Sequence, residues 1–358
     1  MHPMAALMPI SWPGPADGSE AVKWTGGTAH ERGVHDPRTL ARAGMSDMAM
    51  SRRHALTLFG ATLTLAACGR EDRGKLLRVG SQRGGTKALM LSSGALDGIA
   101  YAVEWSEFPA AQTLLEAIGG GAIDMGLTGD APFQFAYQSG SPIRAVSAQR
   151  TDPRPFESVA LIVPAQSPVR TLADLRGKRI ATTRGSIGHY LALRALAQAG
   201  LLLDAVIFIW LSPGDTKAAF SSGAVDGWAT WAPYLSAAIK EGARVVADGH
   251  DLISGYGFEV ANDTAIATRA ALLRDFLRRE SHALTWAGGN RDAYARVLAG
   301  ETGLPADIAR TMVDKNLRQA VPIDDRVIAD QQDVLDAFRK AGETRGERPI
   351  DQAFWREG

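Results

Sequence analysis

The chain has 358 residues, of which 46% are hydrophobic and 22% are charged, the balance of an ordinary globular protein. Its 39 basic and 39 acidic residues are interspersed without a block of like charge, which argues against a nucleic-acid partner. The single cysteine, Cys68, excludes an internal disulfide and a cysteine-based metal site. The length allows two ordinary domains or one domain with two lobes.

The N-terminal part has the order of a targeting segment. Residues 1–50 lack a periodic apolar pattern and are rich in Gly, Pro and His, so we interpret them as a disordered or over-called extension. Within residues 51–68, Arg52 and Arg53 precede an uncharged apolar stretch that ends in Cys68. This stretch is too short to span a bilayer, which takes about 20 residues. It therefore indicates a signal peptide.

The residues Leu65-Ala66-Ala67-Cys68 resemble a bacterial lipobox, in which the cysteine thiol is lipidated and becomes the first mature residue. The paired arginines resemble a twin-arginine export signal, although Ala55 replaces the usual phenylalanine, and the general secretory route stays open. A buried helix with an incidental cysteine and an ordinary signal-peptidase site are the alternatives. We expect residues 69–75 to form a tether and the protein to be periplasmic, anchored by lipid to a membrane.

From Leu76 onward, short apolar runs alternate with helix patterns, which predicts an α/β fold with parallel sheets covered by helices. Such sheets bind ligands beyond the carboxyl ends of their strands. Asp130 and Asp215 are expected to be N-caps. The pattern also predicts an extended segment over 258–268 and a mainly helical chain from 272 to about 340.

Several segments, taken in order, resemble the aliphatic-sulfonate, taurine and nitrate binding proteins of ABC importers, most of all the sulfonate branch. The resemblance covers roughly residues 76–340. In one departure, Ala232 stands where the family often has an aspartate, which puts taurine in doubt. The segments that carry the resemblance are 80–85, 107–110, 124–132, 173–178, 184–190, 214–220, 225–234 and 328–332.

The resemblance implies a two-lobed periplasmic binding protein fold, type II-like, with two crossover hinge strands near 157–164 and 256–262. Lobe 1 would contain residues 76–160 and 257–345, and lobe 2 residues 161–256. It also implies a monomeric solute-binding component, without cofactor or metal, that captures a small organic anion and delivers it to an ABC permease and ATPase. Another anion (nitrate, a sulfate ester, taurine or a carboxylate) is the alternative ligand. Enzymes of this fold that use cysteine are disfavoured, because the only cysteine lies in the lipobox.

A sulfonate is a permanent anion with three acceptor oxygens, so its site needs hydrogen-bond donors. Helix N-termini supply free N–H groups, and this chain places Gly, Ser or Thr at four strand-to-helix junctions. Ser186 is the leading candidate, and the alternative is that these residues only cap helices or carry solvated charge. The candidates are Gln82, Arg83, Gly84, Thr128, Gly129, Asp130, Arg184, Gly185 and Ser186 at three of the junctions, His189 one turn further, and Trp228 and Trp231 as an apolar wall; the fourth junction is 212–215.

We predict that Cys68 is lipidated and that the mature chain begins there. Intact-mass analysis of protein from the membrane fraction of the native host should show a diacylglyceryl adduct on an N-terminal cysteine. Protein that carries an unmodified Cys68 thiol in that fraction would contradict the prediction.

Overall fold

The computed structural model describes residues 75–83, 85–151 and 158–356. The extension 1–50, the signal segment 51–68 with Cys68, the tether up to residue 74 and the candidate Gly84 lie outside the described residues. The expected crossover near residue 157 lies partly outside them.

Eleven strands are present in the described ranges and form two sheets. In chain order they are β1 (Leu76–Gln82), β2 (Ala102–Phe108), β3 (Met125–Gly129), β4 (Ile143–Thr151), β5 (Val159–Val163), β6 (Arg179–Thr182), β7 (Ile207–Trp210), β8 (Gly227–Trp231), β9 (Arg244–Asp248), β10 (Tyr256–Asn262) and β11 (Arg318–Val321). The first sheet has the order β11-β4-β10-β3-β1-β2, and the second has the order β7-β6-β8-β5-β9.

Ten α-helices of the described residues cover the two sheets. They are α1 (Gly85–Ser92), α2 (Ala111–Gly119), α3 (Asp130–Gln138), α4 (Ile187–Gln198), α5 (Pro213–Ser221), α6 (Tyr234–Lys240), α7 (Asp263–Gly289), α8 (Arg291–Thr302), α9 (Ala306–Asn316) and α10 (Asp325–Lys340). Short 3-10 helices lie at Leu172–Leu175, Leu203–Ala205 and Asp351–Ala353. Within the described ranges, no helix is long and apolar enough to cross a bilayer.

Both sheets are mixed, whereas the alternation of strands and helices predicted parallel sheets. In the first sheet β1 is parallel to β2 and β3, but β10 is antiparallel to β3 and β4. In the second sheet β6 is parallel to β7 and β8, but β5 is antiparallel to β8 and β9. Each time the chain passes from one sheet to the other, the first strand that it forms there, β5 or β10, is antiparallel to its neighbours.

The chain passes between the sheets twice. It leaves the first sheet after Thr151 and enters the second at Val159, then leaves the second after Asp248 and returns at Tyr256. The two segments that we expected to cross between the lobes correspond to β5 and β10. Each of these strands pairs within a single sheet, and the chain crosses between the sheets just before each of them.

The C-terminal helix α10 packs on both halves of the molecule, although the resemblance assigned the C-terminal helices to lobe 1. Its Phe338 and Val334 are buried in one apolar cluster with Leu191 of α4 and Ala131 of α3. The ring of Phe338 lies 6.0 Å from that of Tyr190, which is also on α4. One apolar face of α10 thus packs against α3, which follows a strand of the first sheet, and against α4, which follows a strand of the second sheet.

Two local predictions were wrong at helix starts, and a third, which was right in the main, missed one strand. The segment 258–268 is not extended throughout, because Asn262 caps α7 by accepting a hydrogen bond from the N–H of Ala265. Asp130 and Asp215 are not N-caps, since Gly129 precedes α3 and the Ser212 hydroxyl caps α5. The helical prediction from 272 to 340 missed β11, which pairs with β4 at the edge of the first sheet.

Glycine at position 188 is required where α4 crosses the second sheet. A Cβ there would lie 2.4 Å from the carbonyl oxygen of Ala229, a backbone atom of β8. Gly288, by contrast, lies near the end of α7 with open space around its Cα.

We expect Gly188→Ala to lower the free energy of unfolding by about 1–3 kcal/mol, because the helix must move away from the sheet. The matched change Gly288→Ala should raise it by about 0.5–1 kcal/mol, because alanine loses less conformational entropy in a helix. Urea unfolding at neutral pH measures both. Equal effects of the two changes would contradict the close packing of α4 on β8.

Candidate functional site

A cavity of about 190 Å³ lies between the two sheets and is lined from both. The carboxyl ends of β1, β3 and β8 contribute Gln82, Thr128 and Trp231. The amino ends of the antiparallel strands β5 and β10 contribute Val159 and Tyr256. This is the edge at which sheets of this type bind ligands.

Five helices present residues of their N-terminal turn, or the residue just before it, to this cavity. An α-helix leaves its first N–H groups without an intrahelical acceptor and carries a partial positive charge at this end. Together the five helix starts favour an anion in the cavity. The lining residues at these starts are Gly85 and Thr86 of α1, Ala111 and Gln112 of α2, Gly129 before α3, Ser186 and Ile187 of α4, and Pro233 and Tyr234 of α6.

Ser186 is the N-cap of α4, which is the alternative that the sequence left open beside its role as the leading anion-binding candidate. Its Oγ accepts the backbone N–H of His189 at 3.1 Å and lies 3.3 Å from the hydroxyl of Thr182. Because Thr182 donates its own hydrogen to the carbonyl of Ala229, Ser186 is the donor between the two hydroxyls. The N–H groups of the first turn of α4 are therefore better placed to meet an anion than the Ser186 hydroxyl hydrogen.

His189 holds the turn before α4 rather than lining the cavity. Its Nδ1 accepts the N–H of Gly185 at 3.1 Å, and its ring packs between Trp210, Phe208 and Phe338. Burial, with a smaller contribution from the charge of Arg184, lowers the pKa of His189 to about 3, so the ring is neutral. Gly185 needs its left-handed conformation, with φ of +71°, and a Cβ would meet the ring of Phe135 at 2.6 Å.

Two polar side chains of the first sheet face the cavity from neighbouring parallel strands. Thr128 is 1% exposed, and its Oγ1 has no hydrogen-bond partner within the described residues. Gln82 on β1 donates from Nε2 to the carbonyl of Leu127 at 2.7 Å, which fixes its amide beside Thr128. Both positions agree with the placement that the sequence predicted.

Arg318, the first residue of β11, brings a cation to the cavity. Its Nη1 is buried and has no hydrogen-bond partner in the described part of the chain. This nitrogen occupies the space beside Gly257, where a Cβ would lie 2.5 Å from it. Burial lowers the pKa of the guanidinium, while the charge of Asp130 favours the cation. A buried guanidinium nitrogen without a hydrogen-bond partner is costly, so this nitrogen favours an anionic ligand in the cavity.

Aromatic rings form one wall of the cavity. Trp231 and Tyr234 both line it, with ring centroids 6.1 Å apart and ring planes almost perpendicular. The guanidinium of Arg83 lies 6.0 Å from the Tyr234 ring and borders the same space. This wall suits an apolar group attached to an anion.

Trp228 does not share that wall, contrary to our expectation. It is 2% exposed and packs in an apolar cluster with Leu235 and Ala160, against the ring of Phe220. The reason is geometric: Trp228 and Trp231 are three residues apart on β8, so they point to opposite faces of the sheet.

Arg184 and Asp130 also stand outside the cavity lining. Arg184 forms an ion pair with Glu343 at 2.7 Å on the surface, so its charge is already matched. The buried carboxylate of Asp130 accepts the N–H of Ala131 at 2.7 Å and the hydroxyl of Ser254 at 2.8 Å. Asp130 is thus a structural carboxyl near Arg318. The fourth predicted junction, 212–215, does not contribute to the cavity either, because it starts α5 beside β7.

Comparison with known proteins agrees with this architecture. The family model described as NMT1/THI5 like matches residues 102–292. A protein of Escherichia coli (strain K12) named as an aliphatic sulfonates-binding protein is 35% identical over 290 residues, which are 80% of this chain and 90% of that protein. The chain belongs to the NMT1/THI5 like family.

Two solved structures of this kind have the same fold. The alkanesulfonate-binding protein SsuA of Xanthomonas axonopodis pv. citri, bound to MOPS, is 31% identical with a TM-score of 0.73, covering 79% of this chain and 99% of that chain. The periplasmic aliphatic sulphonate binding protein SsuA of Escherichia coli is 34% identical with a TM-score of 0.71, covering 79% and 93%. The resemblance to periplasmic sulfonate-binding proteins and the α/β fold that it implied are thereby confirmed.

In this NMT1/THI5 like protein, sequence reasoning missed a pair of buried acids near Arg318. Glu259 on β10 and Glu280 on α7 are 0% and 2% exposed. Burial, together with the neighbouring Glu280, raises the pKa of Glu259 well above its ordinary value. Burial raises the pKa of Glu280 to about 7, against weaker opposing effects of Glu259, Gln149 and Arg318. In the sequence, the one local sign of this buried pair is the acidic residue Glu259 between the apolar Phe258 and Val260 of β10.

We expect the ligand-free protein to lose stability on the order of 3 kcal/mol through Glu280 as the pH rises from about 4.5 to about 7. The sign follows because a carboxyl with a raised pKa binds more protons in the folded state than in the unfolded state over that range. Glu280→Gln should remove this loss, so the variant should become more stable than the wild type towards pH 8.

Urea unfolding at half-unit pH steps measures the difference in the free energy of unfolding between the wild type and Glu280→Gln. His189 titrates in the opposite sense, but it is present in both proteins, so its effect cancels in the difference. Glu116→Gln, at an exposed position on α2, is the matched control and should leave the curve unchanged. A constant difference between wild type and Glu280→Gln across this range would contradict the prediction.

Proposed function

We propose that this protein is the extracytoplasmic solute-binding component of an ABC importer and that it binds a small organic anion, an aliphatic sulfonate. The observation that carries the proposal is that Arg318 and Thr128 both line the cavity, while the buried Nη1 of Arg318 and the hydroxyl of Thr128 have no hydrogen-bond partner within the described residues. Both groups call for a ligand that accepts hydrogen bonds and bears a negative charge.

A sulfonate matches these requirements better than most anions. It stays charged at every physiological pH and offers three acceptor oxygens, so it can meet a guanidinium, a hydroxyl and the N–H groups of a helix start together. Its carbon chain can cover the apolar wall of Trp231 and Tyr234. The relative and the two solved structures reported above are named as sulfonate-binding proteins, which supports the same ligand class.

Transport rather than catalysis fits the polar groups at the start of α4. Ser186 and His189 do not form a nucleophile and base, because the imidazole Nδ1 accepts the N–H of Gly185 and the Ser186 oxygen accepts a backbone N–H. As an importer component the protein would pass its ligand to a membrane permease driven by an ATPase. The periplasmic location of a relative and the signal segment ending in Cys68 support an exported protein held at a membrane by lipid.

A thermal-shift panel tests the ligand class. Short alkanesulfonates should raise the melting temperature, with about 2.7 kcal/mol of added stability at a ligand concentration of 100 Kd. Nitrate, alkyl sulfates and alkyl carboxylates of equal chain length should give smaller shifts at the same concentration. A larger shift with one of these anions than with every sulfonate would move the assignment to that anion.

Arg318→Met should weaken sulfonate binding by about 2–5 kcal/mol in calorimetry, because it removes the buried partner of the anion. Arg184→Met is the matched control, because Arg184 lies outside the cavity and is paired with Glu343, and it should retain wild-type affinity. Equal loss of affinity in both variants would contradict the proposed site.

A further inference from the structure

One face of the first sheet gathers polar side chains from three neighbouring strands. Residues that lie directly opposite each other in an antiparallel pair point to the same face, as do residues two apart on one strand. Gly257 of β10 lies opposite Gln149 of β4, and Glu259 follows two residues later. Arg318 of β11 lies opposite Thr151, which is two residues from Gln149. The register therefore places Gln149, Glu259 and Arg318 on one face.

Gly257 leaves room for the Arg318 side chain along this face, because a Cβ there would lie 2.5 Å from Nη1 of Arg318. Arg318 thereby lines two cavities. The first is the cavity between the sheets, and the second, of about 100 Å³, is enclosed by the first sheet and by α1, α7, α8 and α9. Glu280 of α7 lines the second cavity but not the first. Arg318 thus has the proposed anion site on one side and Glu280 on the other.

Glu280 is hydrogen-bonded to two buried side chains, those of Glu259 and Gln149. Two carboxylates have no hydrogen to share, so the bond between the acids requires at least one proton on the pair. Glu259 holds this proton, because burial and the neighbouring Glu280 raise the pKa of Glu259 well above its ordinary value. Glu280 is then the acceptor, and burial raises its pKa to about 7, so its charge changes near neutral pH.

Three further ionisable groups face this pair or Arg318 from the surrounding elements. The Arg318 guanidinium itself favours the carboxylate form of Glu280. Tyr294 of α8 faces both, but burial raises its pKa to about 12, so it stays neutral. Asp130 faces Arg318 from α3, and burial raises its pKa against opposing hydrogen bonds, the largest from Ser254. The residues that α1 and α9 contribute to the second cavity are uncharged.

We propose that Glu280 is a positioning residue of the anion site, which acts through Arg318. As a carboxylate Glu280 is an internal counter-ion of Arg318, and as a neutral acid it leaves the guanidinium to the ligand, so that binding of the anion is accompanied by uptake of a proton. The inference rests on the proposed function, because it takes the sulfonate to lie at Arg318.

The direction of this coupling follows from the charges. A sulfonate at Arg318 adds a fixed negative charge near Glu280, which disfavours the carboxylate and raises the pKa of Glu280 above its ligand-free value of about 7. The ligand-bound protein then holds more protons than the free protein between the two pKa values. By linkage, sulfonate binding weakens as the pH rises through this range. The sulfonate itself does not titrate there, so a change in affinity comes from the protein.

Calorimetry on the whole protein with a short alkanesulfonate, from pH 6 to pH 9 at constant ionic strength, tests the proposal. The Kd of the wild type should rise about 10-fold over this range, the scale of an interaction between partly screened buried charges. Near pH 7.5, buffers of different ionisation enthalpy should report uptake of about half a proton per bound sulfonate. In Glu280→Gln the Kd should change by less than about twofold, without proton uptake, because Glu259 keeps its proton.

Two control variants should keep the wild-type pH profile. Glu116→Gln removes an acid that is exposed on α2. Histidine side chains are the other groups that ordinarily change charge near neutral pH, so the double variant His250→Gln/His282→Gln removes the exposed histidines of the described residues. Loss of the profile in either control would overturn the inference.

The remaining outcomes separate this inference from the proposed function. If alkanesulfonates bind the wild type with a Kd that is constant or falls as the pH rises, the role of Glu280 is wrong while the sulfonate site stands, and this reading needs no variant to fold. If the profile survives in Glu280→Gln, another group such as Asp130 carries the proton and the inference is also wrong. Absence of alkanesulfonate binding at every pH would overturn both proposals.

Discussion

The buried Nη1 of Arg318, which has no hydrogen-bond partner within the described residues, sets the character of this molecule. Arg318 holds its Nη1 beside the backbone of Gly257, and the position lacks a Cβ because the guanidinium fills that space. Five helix starts direct partial positive charge toward the same cavity. Positive charge of this kind is unfavourable in a protein interior unless negative charge balances it, so the cavity favours an anionic ligand.

The mixed sheets explain how so many donors meet in one place. If all strands were parallel, only their carboxyl ends would face the cleft. Because β5, β10 and β11 run the other way, their amino ends lie at the same edge and bring Val159, Tyr256 and Arg318 into the lining. The two passages of the chain between the sheets therefore do more than join the lobes, since they also reverse the strands that follow them.

A residue of the site could be predicted from the sequence where the residues that determine its position lie close to it in the chain. Ser186 follows a glycine and precedes an apolar helix, which is enough to predict an N-cap at a strand-to-helix junction, and Thr128 lies at the same kind of place. The position of Trp228 could have been predicted as well, because its spacing of three from Trp231 in a strand places the two rings on opposite faces.

Arg318 and Glu280 could not be predicted in this way. Both lie in a long run with helical character, in which a charged residue is most often exposed to solvent. Arg318 reaches the cavity because β11 pairs with β4 at the edge of the first sheet, and Glu280 lies near Arg318 because α7 packs across that sheet. These contacts join residues that are far apart in the chain, so no window of sequence contains both sides of them.

The two lobes contribute different chemistry to the site. The first lobe supplies the charge of Arg318 together with Gln82 and Thr128, whereas the second supplies the neutral donors at the start of α4 and the ring of Trp231. An anion that reaches the first lobe alone gains a charged partner but keeps its water on the other side. The second lobe replaces that water with fixed N–H groups and an apolar surface. We therefore expect the two lobes to close around a bound anion, because each lobe alone leaves part of the anion without protein partners.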